Sequence, residues 1–205
     1  MSKGLIITLS VVGGLLLVIL LTVGQGIAVY NKIAGMDQGV KGSWSQVENQ
    51  YQRRMDLIPN LVKVVERFAK QEKDVLVGVA EARASVGQMN VTPDVLRNPQ
   101  AFQRFQQAQD GLGAALSRLM VVVEKYPDLK SDQNFLTLQS QLEGTENRIA
   151  VERRRFNEAV QAYNTEIVQF PGSLIAGFGG FREAQYFKSA AGAEKAPQVN
   201  FGTQP

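Results

Sequence analysis

The stretch Ser131–Gln169, SDQNFLTLQSQLEGTENRIAVERRRFNEAVQAYNTEIVQ, holds the reading that decides the fold. Phe135, Leu138, Leu142, Thr145, Ile149, Glu152, Phe156, Ala159, Tyr163 and Ile167 recur at steps of three and four. That spacing lines them along one side of an α-helix and leaves charged and amide residues on the other. A half-buried strand needs alternation at every second residue, bounded by turn residues. No stretch of the chain shows it convincingly.

The same period extends towards the N-terminus. Phe105, Gln109, Leu112, Leu116, Leu119, Val123 and Tyr126 form a second stripe, stopped by Pro127-Asp128. Before it, Gly87–Pro99 (GQMNVTPDVLRNP) reads as a loop. Leu61, Val65, Phe68, Glu72, Val75, Val79, Ala82 and Val86 form a third stripe. It follows Asp56-Leu57-Ile58-Pro59, where Asp56 suits an N-cap and Pro59 a first helical turn. A kinked continuous helix through Pro59 is the alternative. Val29, Ile33, Met36, Val40, Trp44, Val47, Tyr51 and Ile58 make the fourth stripe. Gly35, Gly39 and Gly42 leave little side-chain bulk on part of that helix. Four amphipathic helices bury their stripes most simply in an antiparallel up-and-down four-helix bundle over residues 30–170. The predicted class is all-α.

The N-terminus is of another kind. From Gly4 to Val29 there is no charged side chain, and Leu5–Val23 reads LIITLSVVGGLLLVILLTV. At ~1.5 Å per residue this run spans roughly 28 Å, close to a bilayer core. It is longer than the apolar core of a signal peptide, and Gly24-Gln25-Gly26 is a poor cleavage site. Residues 1–29 are therefore expected to be an uncleaved transmembrane anchor, which makes the chain a single-pass membrane protein. Lys3 lies before the span, and Lys32 and Lys41 lie after it, so the positive-inside count nearly ties. Short N-terminal anchors often place the following domain outside the cytoplasm, and that side is expected here.

At the other end, residues 171–187 are rich in Phe and Gly. Phe170, Phe178, Phe181 and Phe187 are expected to form an interaction surface, at the bilayer interface or in a groove of a neighbouring protomer. Capping of their own bundle is the alternative. The tail 188–205 has the composition of a disordered segment.

Composition removes most chemistry. The 205 residues contain no Cys and no His, with a net charge of +3. Thiol nucleophiles, Ser-His-Asp triads and the common zinc and iron–sulfur sites are absent. Glu143 and Glu146 share one side of a helix, but di-metal carboxylate sites also use Glu-x-x-His pairs. Glu72 and Glu152 interrupt apolar stripes, and a buried carboxylate needs a cation or several donors; Arg53, Arg54, Arg83, Arg148 and Arg153 are available. A polar layer that fixes register is the expected role. Arg153-Arg154-Arg155 point to three sides of a helix and make no basic stripe. No catalytic residue, cofactor, metal, nucleic acid or small-molecule substrate is expected.

Several segments together resemble the LemA family of bacterial membrane proteins. They are Tyr30-Asn31, Trp44, Arg53-Arg54-Met55-Asp56-Leu57-Ile58-Pro59-Asn60-Leu61 and Ala82-Arg83. Leu142-Glu143-Gly144-Thr145-Glu146-Asn147-Arg148-Ile149-Ala150, Arg153-Arg154, Tyr163-Asn164 and Phe170-Pro171 complete the match. The resemblance covers about Tyr30 to Phe187. It implies an N-terminal single-pass anchor, an up-and-down four-helix bundle and no established enzymatic activity, and with the anchor it places the chain in the bacterial cytoplasmic (inner) membrane with the bundle expected on the periplasmic side. Trp44, Arg53, Arg54, Asp56, Pro59, Asn60, Glu72, Arg83, Glu143, Glu146, Asn147, Arg153, Tyr163 and Asn164 are then structural motif residues. The expected role is a membrane-anchored helical scaffold that binds itself or other envelope proteins. A membrane-tethered enzyme or ligand-binding protein using the Glu/Arg clusters is the rival.

Overall fold

The computed structural model describes residues 3–89 and 93–188. The described residues are helical without strands: α1 (Lys3–Phe68), α2 (Lys73–Gly87), a short 3-10 helix (Pro93–Arg97), α3 (Pro99–Val123), α4 (Pro127–Lys130), α5 (Gln133–Val168) and α6 (Gly172–Gly179). The predicted loop before α3 thus contains a helical turn, and its Val95 and Leu96 are buried. Asn98 caps α3 by accepting from Ala101 N at 3.0 Å, and Asp132 caps α5 by accepting from Phe135 N at 2.9 Å.

The 66 residues of α1 form one rod about 100 Å long. Its described side chains from Leu9 to Val23 are all exposed, and it is long and apolar enough there to cross a membrane. No linker separates this end from the packed end.

The expected corner at Asp56–Pro59 does not exist. α1 runs through Pro59 and reverses ten residues later, at Ala69–Glu72. Asp56 therefore caps nothing; it is exposed, and its Oδ1 accepts from Gln52 Nε2 at 2.7 Å. A proline inside a helix has no N–H for the carbonyl four residues back. Here that carbonyl belongs to Met55, and Arg83 Nε of α2 donates to it at 3.2 Å.

Contacts fix the directions. Arg83 meets Met55 on the return, so α2 runs against α1. Arg97 meets Asp37, Phe102 meets Trp44, and Gln109 meets Arg54, so α3 runs with α1. Glu166 meets Lys32 and Glu146 meets Arg54, so α5 runs against it.

Two buried clusters fill the interior. Nearer the membrane, Trp44, Tyr51, Phe102, Phe105, Phe156, Tyr163 and Phe187 pack with Ile33, Val40, Val47 and Ile167. At the far end Ile58, Leu61, Val65, Val79, Leu112, Leu119, Leu129 and Phe135 form a mainly aliphatic cluster. Gly35, Gly39 and Gly42 face away from both, with open space above their Cα atoms.

Candidate functional site

Arg54 lies between the two clusters. It is 3% exposed and continues the stripe of Trp44, Val47, Tyr51 and Ile58. Its Nη1 donates to Glu146 Oε1 at 3.0 Å, and its Nη2 donates to the side-chain oxygen of Gln109. The guanidinium lies 5.2 Å from the Tyr51 ring centroid. Burial pushes the Tyr51 hydroxyl up to about 12, against the pull of Arg153 and Arg54. Arg54, Gln109 and Glu146 thus form a buried polar layer in which both terminal guanidinium nitrogens are engaged and Arg54 Nε is not. Glu146 is half-exposed and supplies the counter-charge from the rim.

The other acids lie apart. Glu143 is exposed and accepts from Gln139 Nε2 at 2.9 Å. Glu152 accepts from Arg155 Nη1 at 2.8 Å. Glu72 takes the donor alternative and accepts from the Tyr126 hydroxyl at 3.0 Å. Arg53, Asn60 and Asn147 are exposed. Glu143, Glu146 and Asn147 border an open groove between α3 and α5, floored by Gly113 and Leu116. No group of acids with metal-ligand spacing occurs among the described residues.

The membrane-proximal end is more elaborate. After α6, residues 181–188 lie extended along α5 as a strap. Buried extended backbone needs partners for both its N–H and C=O groups. Side-chain amides supply them, since each carries one acceptor and a donor pair. Asn164 Oδ1 accepts from Ala184 N, and its Nδ2 donates to Ala184 O, both at 2.9 Å. Asn157 holds Phe187 the same way, at 2.9 and 3.0 Å. Gln106 of α3 holds Lys188 at 2.8 and 3.3 Å. Two helical turns separate Asn157 from Asn164, about 10.5 Å. Three extended residues separate Ala184 from Phe187, about 10 Å. The two spacings match, so both clamps close together. The Tyr163 hydroxyl adds a bond to Arg182 O at 2.9 Å, and burial raises its pKa.

The strap delivers Phe187 into the aromatic cluster, where it stacks on Trp44 with centroids 5.9 Å apart. Arg153 covers its outer face at 4.4 Å. Phe187 is 6% exposed, so it serves its own core and not an external contact. Phe181 is half-buried, 5.4 Å from the Tyr30 ring. Phe170 and Phe178 are instead 80% and 93% exposed. Lys188, placed by composition in a disordered tail, is clamped; residues 189–205 of that tail lie outside the described residues.

Several participants escaped sequence reasoning. Asp37 is 8% exposed and pairs with Arg97 and, at 2.8 Å, with Lys41 Nζ. It stands four residues after Ile33 and three before Val40, so strict three-four stepping would have found it. Arg54, already among the motif residues, lies on the same steps. Asn157 and Gln106 carried no signal, because their partner is backbone of a distant segment.

With this arrangement in view, comparison with known proteins decides the family. Residues 43–201 match the LemA family.

The chain belongs to the LemA family.

Two magnetosome proteins of Paramagnetospirillum magneticum, MamQ 1 and MamQ 2, are each 29% identical to it over 175 residues. The alignment covers 78% of this chain and 64% of each relative. Magnetosome protein MamQ of Magnetospirillum gryphiswaldense is 28% identical over 174 residues, covering 77% and 64%. The chain thus spans less than two thirds of the length of these relatives. The matched family region includes the Arg54 layer, the Pro59–Arg83 contact and the clamped strap, so these belong to the part the LemA-family model describes.

Proposed function

We propose that this LemA-family chain is a non-enzymatic, single-pass scaffold of the bacterial inner membrane. Its packed part is an antiparallel up-and-down four-helix bundle on the periplasmic side, which associates with itself or with other envelope proteins. The observation that carries this reading is the continuity of α1: one rod is both the apolar anchor and a core helix of the domain. A domain joined to its anchor without a hinge holds a set orientation to the membrane, as a scaffold needs. Its buried charges, Asp37 and Arg54, are engaged in pairs and remain unexposed to any substrate. The open glycine face of α1 at Gly35, Gly39 and Gly42 supports self-association, because small residues let helices approach closely.

The test is the size of the full chain isolated in mild detergent. Light scattering should give a mass of at least two chains, or a stoichiometric envelope protein should co-purify. A monodisperse single chain without companions would overturn the scaffold.

A further inference from the structure

We infer that Val168–Gly180 is a re-entrant foot that dips into the lipid bilayer beside the membrane span. The inference rests on the proposed anchoring of α1.

Two uncharged stretches meet at one level. The first runs from Gly4 to Asn31 and ends at Lys32; the second runs from Ile167 to Phe181 and begins after Glu166. Lys32 Nζ and Glu166 Oε2 are 2.5 Å apart. That ion pair therefore stands where both chains lose their charges, as a boundary between water and lipid would require. Below it α5 ends, and the chain turns at Phe170-Pro171. It climbs back as α6 along the last apolar turns of α1. Phe170, Pro171, Leu174 and Ile175 line a cleft with Leu21, Gly26 and Val29. A Cβ on Gly26 would lie 3.7 Å from Ile175 Cδ1. Gly179 lies beside Tyr30. Arg182, directly after the stretch, restores charge.

The turn is built for this path. A Cβ on Gly172 would come within 2.0 Å of the Glu166 carbonyl oxygen, so only glycine allows the reversal. Gly180 leaves α6 at φ +71°, a left-handed conformation that favours glycine. Phe170, Leu174 and Phe178 step by four and are all exposed. Apolar side chains turned outward are unfavourable in water and favourable in lipid. The uncharged part of α1, 28 residues long, spans about 42 Å, against roughly 30 Å of hydrocarbon and 40–45 Å with headgroups. α6, alongside its last turns, lies in the interfacial zone, where lipid rather than a second protein surrounds the span.

The chain has no cysteine, so single labels are direct. Phe178→Cys, Leu16→Cys and Lys70→Cys full-length chains, each carrying a polarity-sensitive fluorophore, are reconstituted in phosphatidylcholine vesicles. Lipid-borne nitroxide should quench the labels at positions 16 and 178, the latter most strongly from a shallow nitroxide. Aqueous iodide should quench only the label at position 70. A label at 178 as open to iodide as that at 70, with 16 still shielded, overturns the foot and leaves the anchor standing. A label at 16 open to iodide overturns the anchoring itself. Shielding at 178 that fades as protein is diluted into lipid, or that comes without nitroxide quenching, assigns the face to a second copy and overturns the inference.

Discussion

The two buried clusters are built by different means. The far cluster is made mainly of aliphatic side chains, and its members all lie on helices between Met55 and Leu142. The aromatic cluster nearer the membrane joins Trp44 to Phe187 across most of the chain, and its last ring arrives on a strap with no helical hydrogen bonds of its own. Side-chain amides replace the missing secondary structure there. The far cluster needs only helix periodicity; the near one needs specific residues at specific heights on α3 and α5. Arg54 separates them without separating the rods, since α1 and α5 pass through both.

The largest effect should come from emptying either cluster. Trp44→Ala should cost about 3–5 kcal/mol, and Leu119→Ala about 2–5 kcal/mol. Urea unfolding of the full chain in mild detergent should show one transition, shifted in both variants, because continuous rods couple the clusters. Two separated transitions would make the Arg54 layer a true domain boundary.

Next come the clamps. Asn164→Ala leaves the N–H and C=O of Ala184 unpaired beside a buried surface, at about 1–3 kcal/mol. Hydrogen exchange should show lost protection at residues 184–188 and unchanged protection in α2. Equal loss in both regions would mean that the strap is no separate device.

The Pro59 site tests the far region. Arg83→Met should cost roughly 1–3 kcal/mol, because the Met55 carbonyl loses a charged donor. Pro59→Ala restores an N–H to that carbonyl, so the same arginine substitution should cost about 1 kcal/mol less there. A double-mutant cycle reads the difference, and strict additivity would remove Arg83 from this role.

The smallest effect is expected at Asp56. Asp56→Ala should change stability by less than about 0.5 kcal/mol, as for an exposed mid-helix position. A loss of 1 kcal/mol or more would restore the capping role that its place before Pro59 suggests.

Periodicity determined that the packed part is helical and which faces are buried, and the uncharged run from Gly4 determined that α1 begins as an apolar span. These are local properties, set by the 3.6-residue turn and by side-chain transfer free energy. Residues 61–86 keep their three-four steps, with Glu72 as the one acid on them, although the chain reverses within that stretch, so periodicity could not show the turn at Ala69–Glu72. Residues 69–72, AKQE, hold no Gly, Pro, Ser, Thr, Asn or Asp, and Glu72 makes no cap bond. Only tertiary structure decided the site of reversal, because Pro59 is tolerated in α1 once Arg83 arrives from another helix to bond Met55. The fate of the four C-terminal phenylalanines was decided in the same way. Phe187 and Phe181 turn inward and Phe170 and Phe178 outward, although composition treats them alike. The difference lies in Asn157, Asn164 and Gln106, which hold the strap by its backbone, and backbone partners leave no pattern in the sequence of the segment they bind.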